Sequence, residues 1–251
     1  MNNNEAPTAA LLIIGNEILS GRTQDVNLNA IAVKLGAVGI PLRETRVVPD
    51  IEADIVAALN ALRARYSYVF TTGGIGPTHD DITVDAVAAA FGVGVVENAD
   101  ARALLALHYG AENLTPARLR MARTPEGATL IANPVSFAPG IKIENVYVLA
   151  GVPSIMRAMM DAVVATLHHG PLMHSVTVSA FIGESMIAEE LGAIAARFPQ
   201  IDIGSYPWMS QGKFGTSLVS RGTDKDAVRQ SADAITALVK SKNAEITLSE
   251  G

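Results

Sequence analysis

The stretch that most constrains the fold is a short apolar run that leads directly into a glycine-rich loop. Residues 68–72 (YVFTT) have the composition of a buried strand, and residues 73–81 (GGIGPTHDD) connect it to an alanine-rich helical segment over 82–91. Three glycines in four positions allow positive φ angles and bring backbone N–H groups close to a ligand, while the helix start adds a positive end. The stretch therefore predicts a phosphate-binding turn at the carboxyl edge of a sheet.

Two adjacent carboxylates, Asp80 and Asp81, distinguish this loop from the common phosphate-binding loops. No Lys-Ser/Thr pair follows the glycines, as it does in a Walker A motif, and the G-x-G-x-x-G spacing is absent. Carboxylates repel a phosphate unless a hard cation lies between them, so the pattern predicts Mg²⁺ or a similar divalent metal. The alternative is a plain turn in which one aspartate only caps the helix, because Asp is a favoured N-cap.

A second apolar run, residues 9–14, places Asn16 and Glu17 at the same edge of the predicted sheet. Glu17 is therefore a further candidate acid, and a solvated loop glutamate is the alternative. The helix predicted over residues 25–38 carries Asn27 on its first turn. From there the amide could contact a ligand or complete a helix cap.

Strand-like and helical segments alternate through the first two thirds of the chain. This alternation predicts a parallel sheet with right-handed crossovers, and hence a three-layer α/β/α sandwich over residues 1–170. From Pro171 the order changes to strand, helix, two strands, helix and a short final strand. Residues 171–251 are therefore expected to form a separate small α+β domain.

Composition excludes several classes of protein. Hydrophobic residues make up 49% of the 251 residues, but no run of about 18 uncharged apolar residues occurs, so no membrane association is expected. The 19 basic residues are outnumbered by 25 acidic ones, which argues against binding to nucleic acid. Cysteine is absent, and residues 1–4 lack the pattern of a signal segment, so the cytoplasm is the expected location.

Several stretches together resemble one known family. Residues 72–83 (TGGIGPTHDDIT) are similar to the signature of the MoaB/Mog molybdopterin-binding-like family, in the form found in the competence/damage-inducible protein CinA and in the hydrolase-like domain of eukaryotic FAD synthase. Residues 15–21 (GNEILSG), followed by Asp25 and Asn27, resemble the first motif of the family, and residues 133–140 and 151–153 resemble its later loops. The resemblance spans most of the chain.

This resemblance implies a set of site residues. It implies catalytic roles for Asp81, Asp80, Glu17 and Asp50, of which the first three would also hold the metal; the alternative for Asp50 is a helix N-cap. The ligand-binding positions that it implies are Asn16, Asn27, Thr72, Gly73, Gly74, Gly76, Pro77, Thr78, Asn133, Pro134, Ser136, Pro139, Gly140, Gly151 and Pro153. The family usually has Gly-Thr where this chain has Ser136-Phe137, which changes the shape expected of that loop.

Three functions are compatible with these residues. The first is metal-dependent hydrolysis of a dinucleotide pyrophosphate such as ADP-ribose or FAD, which the Pro-Thr-His-Asp-Asp form of the motif favours. The second is pterin binding or adenylyl transfer in molybdenum-cofactor assembly, and the third is a non-catalytic ligand-binding module. All three predict a small nucleotide or pterin phosphate as partner. The resemblance also implies a homo-oligomer.

Overall fold

The computed structural model describes residues 6–210 and 212–250, and the chain divides into two compact units at the boundary between Gly170 and Pro171. The strands of the first unit are β1 Ala9–Ile14, β2 Leu42–Val48, β3 Tyr68–Thr72, β4 Val95–Glu97, β5 Arg123–Pro125, β6 Thr129–Ile131, β7 Gly140–Ile143 and β8 Val146–Leu149. Its helices are α1 Asn16–Leu19, α2 Asn27–Gly36, α3 Glu52–Arg63, α4 Thr83–Phe91, α5 Ala99–Tyr109, α6 Pro116–Arg120 and α7 Pro153–Val164.

The main sheet of the first unit has the strand order β2-β1-β3-β8-β7-β6. Strand β1 pairs in parallel with β2 and β3, and β3 pairs in parallel with β8. Strand β7 is antiparallel to both β8 and β6, so the carboxyl end of β6 returns to the same edge as those of β1, β3 and β8. The predicted mostly parallel sheet is confirmed, with one antiparallel strand inserted.

Helices cover both faces of this sheet. Alternate residues of β1 enter two separate cores, Leu11 in the one that contains α2 and α7, and Leu12 in the one that contains α3 and α4. Every residue of β1 is buried, which explains why its sequence is continuously apolar rather than alternating. The three-layer α/β/α sandwich is thereby confirmed.

Local details differ from the sequence-based expectation. Residues 16–19 form the short helix α1 where a loop was expected, and α2 begins at Asn27 after a turn in which the Asp25 carboxylate accepts a hydrogen bond from the Leu28 N–H at 2.8 Å. Gly140 begins strand β7 rather than ending an irregular loop. Each of these features depends on contacts between segments that a local pattern does not show.

The second unit contains β9 His174–Ala180, α8 Ala188–Arg197, β10 Asp202–Ser210, β11 Lys213–Gly222, α9 Lys225–Ser241 and β12 Ile246–Glu250. Its antiparallel sheet has the order β10-β11-β9-β12. This order and the β-α-β-β-α-β succession are those of the ferredoxin-like arrangement. The expected small α+β unit is confirmed. Within the described residues, no helix of either unit is long and apolar enough to cross a bilayer.

Candidate functional site

The loops that follow β1, β3 and β8 meet at the carboxyl edge of the main sheet. Gly73, directly after β3, donates its N–H to the Leu149 carbonyl at 3.3 Å, and Gly15, directly after β1, donates to the Val48 carbonyl at 3.2 Å. These bonds extend the parallel ladders by one residue beyond the strands. The first bond holds the β3 loop against the end of β8, and the second holds the β1 loop against the end of β2.

Gly73 is the point of closest approach between these loops. Its φ of 101° is strained for any residue with a side chain, and a Cβ there would lie 2.1 Å from the Ile14 carbonyl oxygen. A Cβ at Gly151 would in turn lie 3.2 Å from the Cα of Gly73. Only glycine at position 73 allows the β1 and β3 loops to approach so closely.

A cavity of about 80 Å³ opens beside Gly73. Six of the residues predicted for the site line it, and they come from three separate stretches of sequence: Glu17, Asn27, Thr72, Gly73, Gly151 and Pro153. The remaining lining residues are Ile13, Ile14, Ile18, Thr23, Gln24, Asp25 and Val26. The structure therefore brings the first motif, the central glycine loop and the loop after β8 to a single depression, which we call the Gly73 cavity.

Two polar atoms in the wall of the Gly73 cavity have no partner. The Asn27 side chain is 5% exposed and donates from Nδ2 to the Gly151 carbonyl at 2.8 Å, but its Oδ1 finds no hydrogen-bond donor among the described residues. The Thr72 hydroxyl, on a residue that is 1% exposed, is likewise unpartnered within the described chain. Buried polar groups in native proteins are nearly always paired, so these two atoms are candidate contacts for a ligand bound in the cavity.

The first motif is organised by Asp50, which follows β2. Its carboxylate accepts the Asn16 N–H at 2.8 Å, so Asp50 anchors the start of α1. Asp50 does not cap the next helix, because the N-cap residue of α3 is Ile51 and this helix start has no capping hydrogen bond from a side chain. The Glu17 carboxylate folds back over Gly15, where a Cβ would lie 2.6 Å from its oxygens. Only glycine leaves room for Glu17 in this position.

The central loop is fixed at both ends by threonines. The Thr83 N–H donates to the Gly74 carbonyl at 3.0 Å, and its hydroxyl donates to the Gly73 carbonyl at 2.9 Å. Asp81 accepts the Thr78 N–H at 2.8 Å and the Thr78 hydroxyl at 2.5 Å. Neither Asp80 nor Asp81 caps α4, whose N-cap is Ile82 without a side-chain bond, so the capping alternative is wrong.

Between these anchors the backbone N–H groups of Gly74, Ile75 and Gly76 have no acceptor among the described residues. Gly76 approaches Asp81 so closely that a Cβ there would lie 2.6 Å from the carboxylate. Pro77 and Thr78, next along the loop, are exposed. Successive backbone N–H groups without internal acceptors are a feature of anion-binding turns.

The two aspartates differ in environment. The Asp80 side chain is 68% exposed, and hydrogen bonding within the loop lowers its pKa, so Asp80 is ionised at neutral pH. Neither aspartate is among the residues that line the Gly73 cavity. Over residues 6–210 and 212–250, no three His, Cys, Asp or Glu side chains are grouped so that they could hold a metal ion by themselves.

The loop around Asn133 lies at the same edge but two strands away from β8. Asn133 Nδ2 donates to the Ser136 hydroxyl and to the Ala138 carbonyl, both at 2.7 Å, and its Oδ1 accepts the Val135 and Ser136 N–H groups. Of the other residues predicted here, Pro134 is exposed and Pro139 is buried. A Cβ at Gly140 would lie 2.8 Å from the Val148 carbonyl. These contacts are internal to the loop and the sheet, and the loop does not line the Gly73 cavity.

Sequence reasoning missed two contributors to the site. Thr83, whose two hydrogen bonds hold the glycine loop, was quoted only as part of the signature, and Gln24 in the cavity wall was not considered. A threonine on the first turn of a helix directly after a glycine loop is a usable signal, because its hydroxyl can bond to a nearby carbonyl. Gln24 carries no comparable signal.

A larger depression of the first unit, with a volume of about 710 Å³, lies beside Arg63 and Asn145. The Arg63 guanidinium is already engaged there, because it donates to the Asn60 side chain at 2.8 Å and to the Ala90 carbonyl at 3.0 Å, and lies over the Phe91 ring. Asn145 donates to two backbone carbonyls. These groups hold the fold together, and the smaller Gly73 cavity is the better candidate site.

Both units of the chain are similar to known protein families. Residues 10–169 match the family described as probable molybdopterin-binding domain, and residues 172–246 match the middle domain of FAD synthase. A protein of Pyrobaculum calidifontis is 37% identical over 213 residues, which cover 80% of this chain and 81% of that protein. A CinA-like protein of Gemmatimonas aurantiaca is 36% identical over 200 residues, but the match covers 74% of this chain and 47% of that protein.

A solved structure is also similar. The crystal structure of the protein CinA from Thermoplasma acidophilum, described as of unknown function, superposes with a TM-score of 0.61 at 36% sequence identity. The match covers 64% of this chain and 98% of that one. The fold and the sequence therefore indicate the same family.

Proposed function

The chain belongs to the family of probable molybdopterin-binding domains, in its CinA-like form, and we propose that it binds a dinucleotide pyrophosphate such as ADP-ribose or FAD and hydrolyses it with a divalent metal. The observation that carries the proposal is a pair of buried, unpartnered atoms on two residues that line the Gly73 cavity, Asn27 Oδ1 and Thr72 Oγ1. A buried acceptor without a donor is costly unless a bound molecule supplies one.

The chemistry of the cavity wall indicates which part of the ligand it accepts. Asn27 presents an amide oxygen, and Glu17 and Asp25 add carboxylates to the lining. These acceptors disfavour a phosphate and favour a group with O–H or N–H donors, such as ribose hydroxyls. The phosphates are better suited to the free N–H groups of residues 74–76.

The acids fit a metal that arrives with its ligand rather than a preformed metal cage. Mg²⁺ is usually held by one or two carboxylates plus phosphate oxygens, so the absence of a group of three acids in the described chain does not conflict with it. Asp80 and Asp81 would supply the carboxylates, while Glu17 is available from the Gly73 cavity. A bound metal would neutralise developing charge on the pyrophosphate oxygens.

The residues of the chain have defined tasks in this hydrolysis. Residues 74–76 bind the anion, Asn27 and Thr72 orient the ligand, and one of the acids accepts the proton of the attacking water. One P–O bond forms to that water and the bridging P–O bond breaks. ADP-ribose then gives AMP and ribose 5-phosphate, and FAD gives AMP and FMN.

A second candidate function is binding of a pterin phosphate without cleavage. The observation that favours it is that one carboxylate oxygen of Asp81 already accepts two hydrogen bonds from Thr78. That oxygen is therefore less available to a metal. A pterin also carries N–H donors that would satisfy Asn27. The two candidates share the cavity and differ in whether a pyrophosphate bond is broken.

The decisive experiment is to incubate the purified protein with ADP-ribose or FAD in the presence of Mg²⁺, Mn²⁺ or Co²⁺ and to measure AMP release. We expect metal-dependent release that falls by roughly 100-fold in Asp81→Asn, because the substitution removes one negative charge while its amide oxygen still accepts from Thr78. The matched control is Asp54→Asn, on the exposed first turn of α3, which should release AMP at the parental rate.

Two outcomes would contradict the hydrolase proposal. One is no AMP release with any of the three metals, and the other is an unchanged rate in Asp81→Asn. If either protein still binds ADP-ribose or a pterin phosphate by calorimetry, the binding function replaces hydrolysis.

A further inference from the structure

One face of the sheet in the second unit is free of the helices of that unit. Val178 of β9 and Leu218 of β11 point into the core formed with Ile194 of α8 and Ile235 of α9. Because side chains alternate along a strand, the residues next to Val178 and Leu218 on their own strands point to the opposite face. Ser179 and Ser217, which are paired across β9 and β11, lie on that face and bring their hydroxyl oxygens within 2.9 Å of each other.

Three aromatic side chains share this open face. Tyr206 and Trp208 lie on β10 and Phe181 follows β9; Tyr206 is 58% exposed and Phe181 is 50% exposed. A Cβ at Gly204 would lie 2.8 Å from the Tyr206 ring, and one at Gly215 would lie 2.4 Å from the Trp208 ring. The glycines therefore let both rings lie down against the sheet rather than stand away from it.

The aromatic rings are arranged as a platform. Trp208 and Phe181 meet edge to face, with their ring centroids 4.9 Å apart and the planes at 71°. Lys213 places its ammonium 6.0 Å from the centre of the Phe181 ring, which puts a positive charge beside the platform. Exposed aromatic rings of this kind on an antiparallel sheet are a general means of stacking a heterocyclic base.

The charge of the second unit helps to decide whether the platform suits a mononucleotide or a polynucleotide. Residues 171–251 contain seven Lys or Arg and nine Asp or Glu, so the unit has no basic surplus with which to neutralise a nucleic-acid backbone. A single ring with one phosphate needs only the one cation that Lys213 supplies. The platform therefore suits a mononucleotide better than a polynucleotide.

We propose that the open face formed by Phe181, Tyr206 and Trp208 is a second binding site, which stacks the planar heterocycle of a mononucleotide, with Lys213 beside its phosphate. This site lies entirely within the second unit, and it does not depend on the Gly73 cavity or on hydrolysis. The shared chemistry is a flat nitrogen heterocycle, which both AMP and FMN carry.

The experiment uses the single tryptophan of the chain, Trp208, as its own reporter. AMP, FMN and ribose 5-phosphate are each titrated into the full-length protein while tryptophan fluorescence is recorded. We expect saturable quenching by AMP and FMN but not by ribose 5-phosphate, which lacks a ring. Tyr206→Leu keeps apolar area but removes the face of the aromatic ring. The dissociation constants obtained from the quenching curves should rise about tenfold. The anisotropy of FMN fluorescence measures the affinity for FMN independently of Trp208.

The matched control is Phe214→Ala. Phe214 is an exposed aromatic residue on β11, and its place in the strand register puts it on the other face of the sheet. The control variant should bind AMP like the parent. The proposal is overturned if AMP and FMN cause no saturable change, if ribose 5-phosphate acts equally well, or if Phe214→Ala weakens binding as much as Tyr206→Leu. Tight binding of oligouridylate with none of AMP would likewise overturn it in favour of a nucleic-acid surface.

Discussion

Two buried asparagines at the carboxyl edge of the main sheet show how differently the same side chain is used. Asn27 and Asn133 are 5% and 6% exposed, and both belong to loops that resemble ligand-binding motifs. Every polar atom of the Asn133 amide is engaged within its own loop, whereas the Oδ1 of Asn27 has no donor among the described residues. Burial of a polar side chain does not by itself mark a binding residue; unused hydrogen-bonding capacity on a residue that lines a cavity is the better indication.

The largest effect on stability is expected at the closed network. Asn133→Ala removes four hydrogen bonds and leaves the N–H groups of Val135 and Ser136 without this acceptor. We expect the free energy of unfolding to fall by about 2–4 kcal/mol. Urea denaturation followed by circular dichroism measures it. A loss below about 1 kcal/mol would mean that the loop is held by other contacts.

A smaller effect is expected where Tyr66 donates its hydroxyl to Glu44 at 2.7 Å. This hydrogen bond is the main reason that the pKa of Glu44 is lowered, and Arg46 adds to the shift. A lowered pKa in the folded state contributes stability that is present above the unfolded pKa of Glu44 and is lost as the pH falls through the folded value. Tyr66→Phe should therefore lower Tm by about 1–3 °C at pH 7 and flatten the decline of Tm in acid.

The measurement is a series of thermal melts between pH 3 and pH 7. The control is Tyr109→Phe, in the first unit but remote in sequence from Glu44, which should leave the slope of Tm against pH unchanged. An identical acid slope in the parent and in Tyr66→Phe would show that the hydrogen bond contributes nothing measurable.

The smallest effect on stability is expected at the open network. Asn27→Leu removes one hydrogen bond to Gly151 but also removes an unpaired buried oxygen, so the two changes offset each other. We expect the free energy of unfolding to stay within about 1 kcal/mol of the parent, in the same urea assay. If Asn27→Leu destabilises as strongly as Asn133→Ala, the contrast between the two asparagines is lost.

The fold could be predicted because its signals are local and repeated. The largely buried strands β1, β3 and β8 are predominantly apolar runs, and each is followed by glycine or by a small residue and then glycine. The amphipathic pattern of α7 likewise places Met156, Met159 and Met160 in the core. Such patterns determine the sheet and its layers without any knowledge of long-range contacts.

The site was only partly predictable, because its decisive features join distant segments. The bond from Asn27 to Gly151 spans 124 positions, and the bond from Asn16 to Asp50 spans 34. Sequence alone could not show that Asp81 turns back toward Thr78 instead of capping α4. The motif located the right loops, while the distribution of used and unused polar atoms required the structure. The roles of the individual residues remain predictions.

The most direct test of ligand binding in the Gly73 cavity compares two neighbouring threonines of β3. Thr71 and Thr72 are 0% and 1% exposed, and both have a buried hydroxyl with no partner among the described residues, but only Thr72 lines the Gly73 cavity. Replacement by valine preserves shape and removes the hydroxyl. Calorimetric titration of ADP-ribose with Mg²⁺ into both variants should show binding about 5- to 10-fold weaker in Thr72→Val and unchanged in Thr71→Val. Equal affinities in the parent and both variants would contradict the assignment of the Gly73 cavity as the ligand site.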